Sequence, residues 1–177
     1  MQLTSKAAWP SRRLTKNEFR DALVVAMKGR DCWRVGKYLG SMLYFDFGAR
    51  IMVPSRRSGP TEQGEAILGI RDCYWMLYKN RQLITDSDLI EDESANQKLD
   101  CLNGVHLFDF EVLKNGEISF IFSNHLALNV DTTNRYATQD CIAEMIAPDG
   151  RIYTITPRGH FYLSDEISNY RRVEASA

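Results

Sequence analysis

At 177 residues, with 44% hydrophobic and 25% charged side chains, the chain has the make-up of one ordinary folded domain, which excludes disorder, collagen and coiled coil. A formal net charge of -1 gives no overall pull toward nucleic acid or an acidic membrane surface. Apolar runs such as "DALVVAM" and "SFIFS" fall far short of the roughly 20 residues that span a bilayer, and no apolar stretch follows the basic residues of "MQLTSKAAWPSRRL", so a cytoplasmic protein without a membrane partner is expected.

Residues 1–14 read as an irregular arm. In "TKNEFRDALVVAMKG", Thr15 and Glu18 form a T-x-x-E capping box and Gly29 supplies the stop. The helix between them repeats Phe19, Leu23 and Met27 every four residues, so these should face the core. "SMLYFDFGARIMV" then switches to period two and opens a β-region, and residues 54 to 64, rich in Pro, Gly and Arg, read as a mobile exposed loop.

Two strands are expected at Glu65–Arg71 and Cys73–Tyr78. Alternation puts Cys73, Trp75 and Leu77 on one face and Tyr74, Met76 and Tyr78 on the other, as in a central strand. Asn80 turns the chain. Residues 86 to 93, "DSDLIEDE", carry five acids and lead into a second helix at about Glu91 to Leu102, with Ala95, Leu99 and Leu102 on one face; acids in its first turn complement the helix dipole. "VHLFDFEVLKNGEISFIFS" is a hairpin turning at Asn115-Gly116, "NHLALNV" adds a strand, and "CIAEMIAPDGRIYTITPRGHFYLS" adds the last ones around Pro148-Asp149-Gly150. The tail frays from about residue 169.

These elements predict a single α+β domain over 1–177, mainly antiparallel sheet in a meander of about nine strands, with two helices. "LYFDFG" at Leu43 to Gly48 faintly echoes "HLFDFE" at His106 to Glu111, which raises the prospect of two similar halves.

"GSMLYFDFG" at Gly40 to Gly48, then a loop, then "GEAILGIRDCYWMLYKN", then an acidic helix ending in a glycine, resembles a family of small uncharacterised bacterial proteins. "APDGRIYTITPRGHFYLS" fits the same pattern, so the resemblance covers roughly residues 36 to 163 and leaves out the N-terminal helix. The match departs at "GEAILGI", where the family pattern has an aromatic soon after Gly64-Glu65. The resemblance implies a domain of unknown function, of the kind found as immunity or phage-defence proteins that bind a toxin or another defence component. It carries no catalytic residue.

The residues themselves show no glycine-rich phosphate loop, GxSxG elbow, HExxH or EF-hand pattern, so no catalytic residue, metal or cofactor is expected. Cys32, Cys73, Cys101 and Cys141 lie far apart and read as free thiols packed as small hydrophobes. The expected function is a non-catalytic protein-binding module, monomeric or homodimeric, that restrains a partner. Its candidate contacts are the acids Asp86, Asp88, Glu91, Asp92 and Glu93 and the loop pair Arg56 and Arg57. The alternative is a small-ligand binder or enzyme with a polar pocket in the sheet, built from Asp46, Asp109 and His106, because aspartates inside strands are uncommon. The basic pairs Arg12-Arg13, Arg56-Arg57 and Arg171-Arg172 would make an anion-binding patch only if they cluster with Trp9 or Tyr170.

Overall fold

A computed structural model describes residues 11–37, 41–54, 59–71, 73–89, 93–133, 142–157 and 159–164. In chain order its elements are β1 (Ser11–Leu14), α1 (Lys16–Met27), β2 (Cys32–Lys37), β3 (Leu43–Val53), β4 (Thr61–Ile70), β5 (Trp75–Lys79) and β6 (Gln82–Asp86). There follow a short α2 (Glu93–Lys98) running into a 3-10 turn (Leu99–Leu102), then β7 (Leu107–Val112), β8 (Ile118–Phe122), β9 (Leu126–Val130), β10 (Ala143–Ile146), β11 (Ile152–Thr156) and β12 (His160–Ser164).

This overturns the meander of about nine strands with two helices. Among the described residues twelve strands form two antiparallel sheets, one ordered β1-β12-β11-β10-β4-β3-β2 and the other β6-β5-β9-β8-β7. Among the described residues α1 is the one full helix. The second expected helix keeps six α-helical residues, and its buried anchors Leu99 and Leu102 lie three apart, a spacing that the tighter 3-10 turn aligns. The arm expected over 1–14 ends in strand β1, and the loop expected over 54–64 yields to β4 from Thr61. Residues 1–10, 55–58 and the tail from 165 lie outside the described residues.

Helix α1 forms as its sequence dictates. The Glu18 N–H donates to Thr15 Oγ1 at 3.2 Å, and the Thr15 N–H donates to Glu18 Oε2 at 2.7 Å. Gly29, at φ +71°, takes the left-handed conformation that ends the helix. The buried stripe Phe19, Leu23 and Met27 gains about 1.5–3 kcal/mol per side chain in transfer free energy. The Phe19 ring lies 5.2 Å from Phe110 in β7 and 4.9 Å from Phe161 in β12, so α1 clamps the two sheets together.

The sheets face each other over one continuous core, with Phe45 of β3 stacked 6.0 Å from Phe122 of β8. Trp75 and Leu77 lie on the buried face of β5, while Met76 and Tyr78 are half-exposed on its other face. At one seam the sheets also meet edge to edge: Asp31 bridges His106, and the Cys32 N–H donates to the Val105 carbonyl at 2.6 Å. Strand β3 bends at a bulge between Phe47 and Arg50, where Gly48 sits at φ +74° and the Glu65 side chain fills the space a Cβ would need.

Candidate functional site

The three groups expected to build a polar pocket occupy three separate pairings. Asp46 on β3 is only 2% exposed; its Oδ2 accepts from Arg34 Nε and its Oδ1 from the Gly64 N–H, both at 2.7 Å. Asp109 on β7 takes a two-pronged hold from Arg20, with Nε at 2.6 Å and Nη2 at 2.9 Å, and those hydrogen bonds hold its carboxyl below the usual carboxylate range. His106 lies at the seam, its Nδ1 3.7 Å from Asp31 Oδ1, with both side chains largely exposed. Asp46 and Asp109 are thus each answered by an arginine, and the three groups do not share a hollow. Among the described residues no group of His, Cys, Asp or Glu side chains could hold a metal ion.

The acidic stretch has local work. Asp86 Oδ1 accepts from the N–H groups of Asp88 at 3.0 Å and Leu89 at 3.1 Å, closing the turn after β6, and Glu93 opens α2. Burial, followed by the nearby charges of Asp86 and Asp88, raises the Tyr74 phenol. Glu91, Asp92, Arg56 and Arg57 lie outside the described residues, as do Cys141, Trp9, Tyr170, Arg171 and Arg172. Cys32, Cys73 and Cys101 are free thiols; burial pushes Cys32 up to about 12, which makes it a packing residue rather than a nucleophile.

On the outer face of the seven-stranded sheet, Arg34 and Arg50 approach the Trp33 ring at 4.8 Å and 4.5 Å. Both are also answered by carboxylates, Arg34 by Asp46 and Arg50 by Glu62, and Arg30 beside them by Glu65, so this aromatic-arginine surface is neutralised in pairs.

The outer face of the five-stranded sheet differs. Its cross-strand register sets Leu83, Tyr78, Ala127 and Ile121 side by side on β6, β5, β9 and β8, and Phe108 stands at the β7 end, where a register shift lies between Leu107 and Asp109. This makes an apolar row across all five strands. Two of its members are conspicuously exposed, Leu83 at 51% and Phe108 at 50%. The next row, Met76, Asn129, Ser119 and Glu111, is polar beyond Met76, and in it Ser119 Oγ donates to Asn129 Oδ1 at 2.8 Å. Tyr78, Phe108, Ile121 and Ala127 line a shallow groove of about 520 Å³, whose rim carries Arg81, Asn124 and His125 from the turns between β5 and β6 and between β8 and β9.

No family model matches the chain, and neither a curated protein nor a solved structure matches it. No helix among the described residues is long and apolar enough to cross a membrane. The groove was missed at the sequence level because its members come from four strands and two turns spread between residues 78 and 129; only their alternation within each strand is visible locally.

Proposed function

We propose that the chain is a non-catalytic protein-binding module which docks its partner on the outer face of the five-stranded sheet, in keeping with the immunity or defence role that the family resemblance implies. The observation that carries this is the apolar row from Leu83 through Tyr78, Ala127 and Ile121 to Phe108, presented to solvent on a face that a self-contained domain would cover with polar side chains. The rim of that groove carries the Arg81 guanidinium and the His125 imidazole and no carboxylate among its lining residues, so a partner with apolar and acidic groups is complementary to it. Asp46, Asp109 and His106 give no support to an enzyme, since each is engaged in its own pair.

The test compares wild type with the combined variant Phe108→Ser and Ile121→Ser in affinity capture from the native host. Captured proteins are identified by mass spectrometry and reconstituted from pure components. A stoichiometric partner held by wild type and lost by the variant is expected. Retention of the same partner by a folded variant would place the contact elsewhere.

A further inference from the structure

Nine arginines fall among the described residues, and eight of them have a side-chain partner: Arg12, Arg13, Arg20, Arg30, Arg34, Arg50, Arg71 and Arg151. Arg81 is the exception; among the described residues no carboxylate or hydrogen-bond acceptor meets its guanidinium. The histidines divide the same way. His106 faces Asp31 and His160 accepts from Arg13, whereas the His125 ring has no such partner among the described residues. Arg81 and His125 line the same groove.

Both also sit where a side chain is disfavoured. The only described residues other than glycine with positive φ are Asn80 (+50°), Arg81 (+66°), Asn124 (+59°) and His125 (+59°). They form the centres of two tight turns, for which Asn followed by Gly is the favoured choice. Here the second position holds Arg in one turn and His in the other. The turns are fastened together, the Asn80 N–H donating to the His125 carbonyl at 3.0 Å. Two neighbouring turns have thus each forgone glycine for a side chain able to carry positive charge, at the mouth of one apolar groove. No structural partner among the described residues explains either choice. Backbone strain of this kind clusters at ligand-binding and switch regions.

We propose that Arg81 and His125 form a carboxylate receptor, and that the partner segment seated on this face carries an acidic side chain flanked by apolar ones. The proposal rests on the docking face described above and names the chemistry that the face selects. The carboxylate meets the guanidinium fork of Arg81 and the imidazole of His125, while the apolar neighbours lie along Tyr78, Ala127, Ile121 and Phe108. A row of five strands at the usual strand spacing spans roughly 19 Å, which suits an extended segment of about six residues.

The experiment pans a random hexapeptide library displayed on phage against the full chain, then against Arg81→Gln, His125→Gln and Ile121→Ser, each first shown by its melting curve to be folded. Peptides enriched on wild type should combine Asp or Glu with apolar residues. Arg81→Gln should weaken them about tenfold or more and erase their preference over the Gln or Asn counterpart, as expected for a lost charge-assisted bond. Ile121→Ser should abolish binding. Enriched peptides without an acid that still depend on Ile121 would overturn the receptor and leave the docking face standing. Enrichment indifferent to Ile121, or none at all, would overturn both. Decanoate displacing the peptides with equal affinity for wild type and Arg81→Gln would also count against the receptor.

Discussion

Arg81→Gly should make the protein more stable while removing a binding group. A side chain held in the left-handed region costs of order 1–3 kcal/mol, and a tight-turn site lies at the low end of that range. Glycine relieves this strain but loses about 0.5–1 kcal/mol through the greater freedom of the unfolded chain. With Arg81 at φ +66° and its guanidinium without a partner among the described residues, there is no contact to set against the relief, so the net gain is about 0.5–1 kcal/mol. In a domain of this size that corresponds to a melting temperature higher by about 1–4 °C. His125→Gly should behave likewise, and the double variant should fall short of the sum, because the Asn80 N–H to His125 carbonyl bond joins the two turns. Thermal and urea unfolding followed by circular dichroism would measure it, with Arg81→Ala as the control that keeps a Cβ and therefore the strain. A glycine variant that melts at or below wild type, or an alanine variant that gains as much, would refute the strain argument and give Arg81 a structural task.

Asp46→Ala should cost about 2–4 kcal/mol, since it strands the Gly64 N–H in the interior, whereas Arg34, with 39% of its side chain exposed, can be rehydrated; Asp46→Asn keeps an acceptor and should cost about 1 kcal/mol by urea unfolding. Gly64→Ala should cost about 3 kcal/mol or more, because the new Cβ would lie 2.6 Å from the Phe47 backbone nitrogen, an atom that cannot yield without parting β3 from β4, whereas Gly69→Ala, whose nearest neighbour is at 3.8 Å, should lose less than about 1 kcal/mol in the same assay. The capping box holds the Glu18 carboxyl at about 2 against the usual 4.5, first through the Thr15 backbone N–H. A depressed folded value means that its contribution is complete above about 4.5 and is lost as pH falls toward 2; carbon-detected NMR titration should place the Glu18 midpoint near 2 and move it upward in Thr15→Ala.

What could be read in the chain was what neighbours in sequence decide. The T-x-x-E box and the four-residue stripe of α1 lie within a dozen residues, and the β7–β8 hairpin needs only Asn115-Gly116 and alternation on either side. The division into two sheets had no such signal. It depends on Trp75 pairing with Val130, Ile70 with Ala143 and Ser11 with Ser164, pairings that no local pattern encodes. Strand β2 was missed because "CWRVGK" buries Cys32 while the rest is half-buried, which erases the alternation. Strand β1 was missed because four residues with an arginine pair at their centre look like a solvated arm.

The strand aspartates were conspicuous for a sound reason, but the reason was structural: a carboxylate in a sheet must be answered, and Arg34 and Arg20 answer Asp46 and Asp109. The more informative anomaly is quieter. At the turns of β5–β6 and β8–β9, "Asn-Arg" and "Asn-His" stand where Asn-Gly would be cheaper, and the chain uses glycine freely at positive φ elsewhere, at Gly116 and Gly150 in its other hairpin turns. The two sheets then serve as controls for each other. On the outer face of the larger one Arg30, Arg34 and Arg50 each have a carboxylate within the chain. On the smaller sheet Arg81 and the His125 ring stand beside the apolar row with no carboxylate partner among the described residues, and an acidic, apolar segment of another molecule would be complementary to that surface.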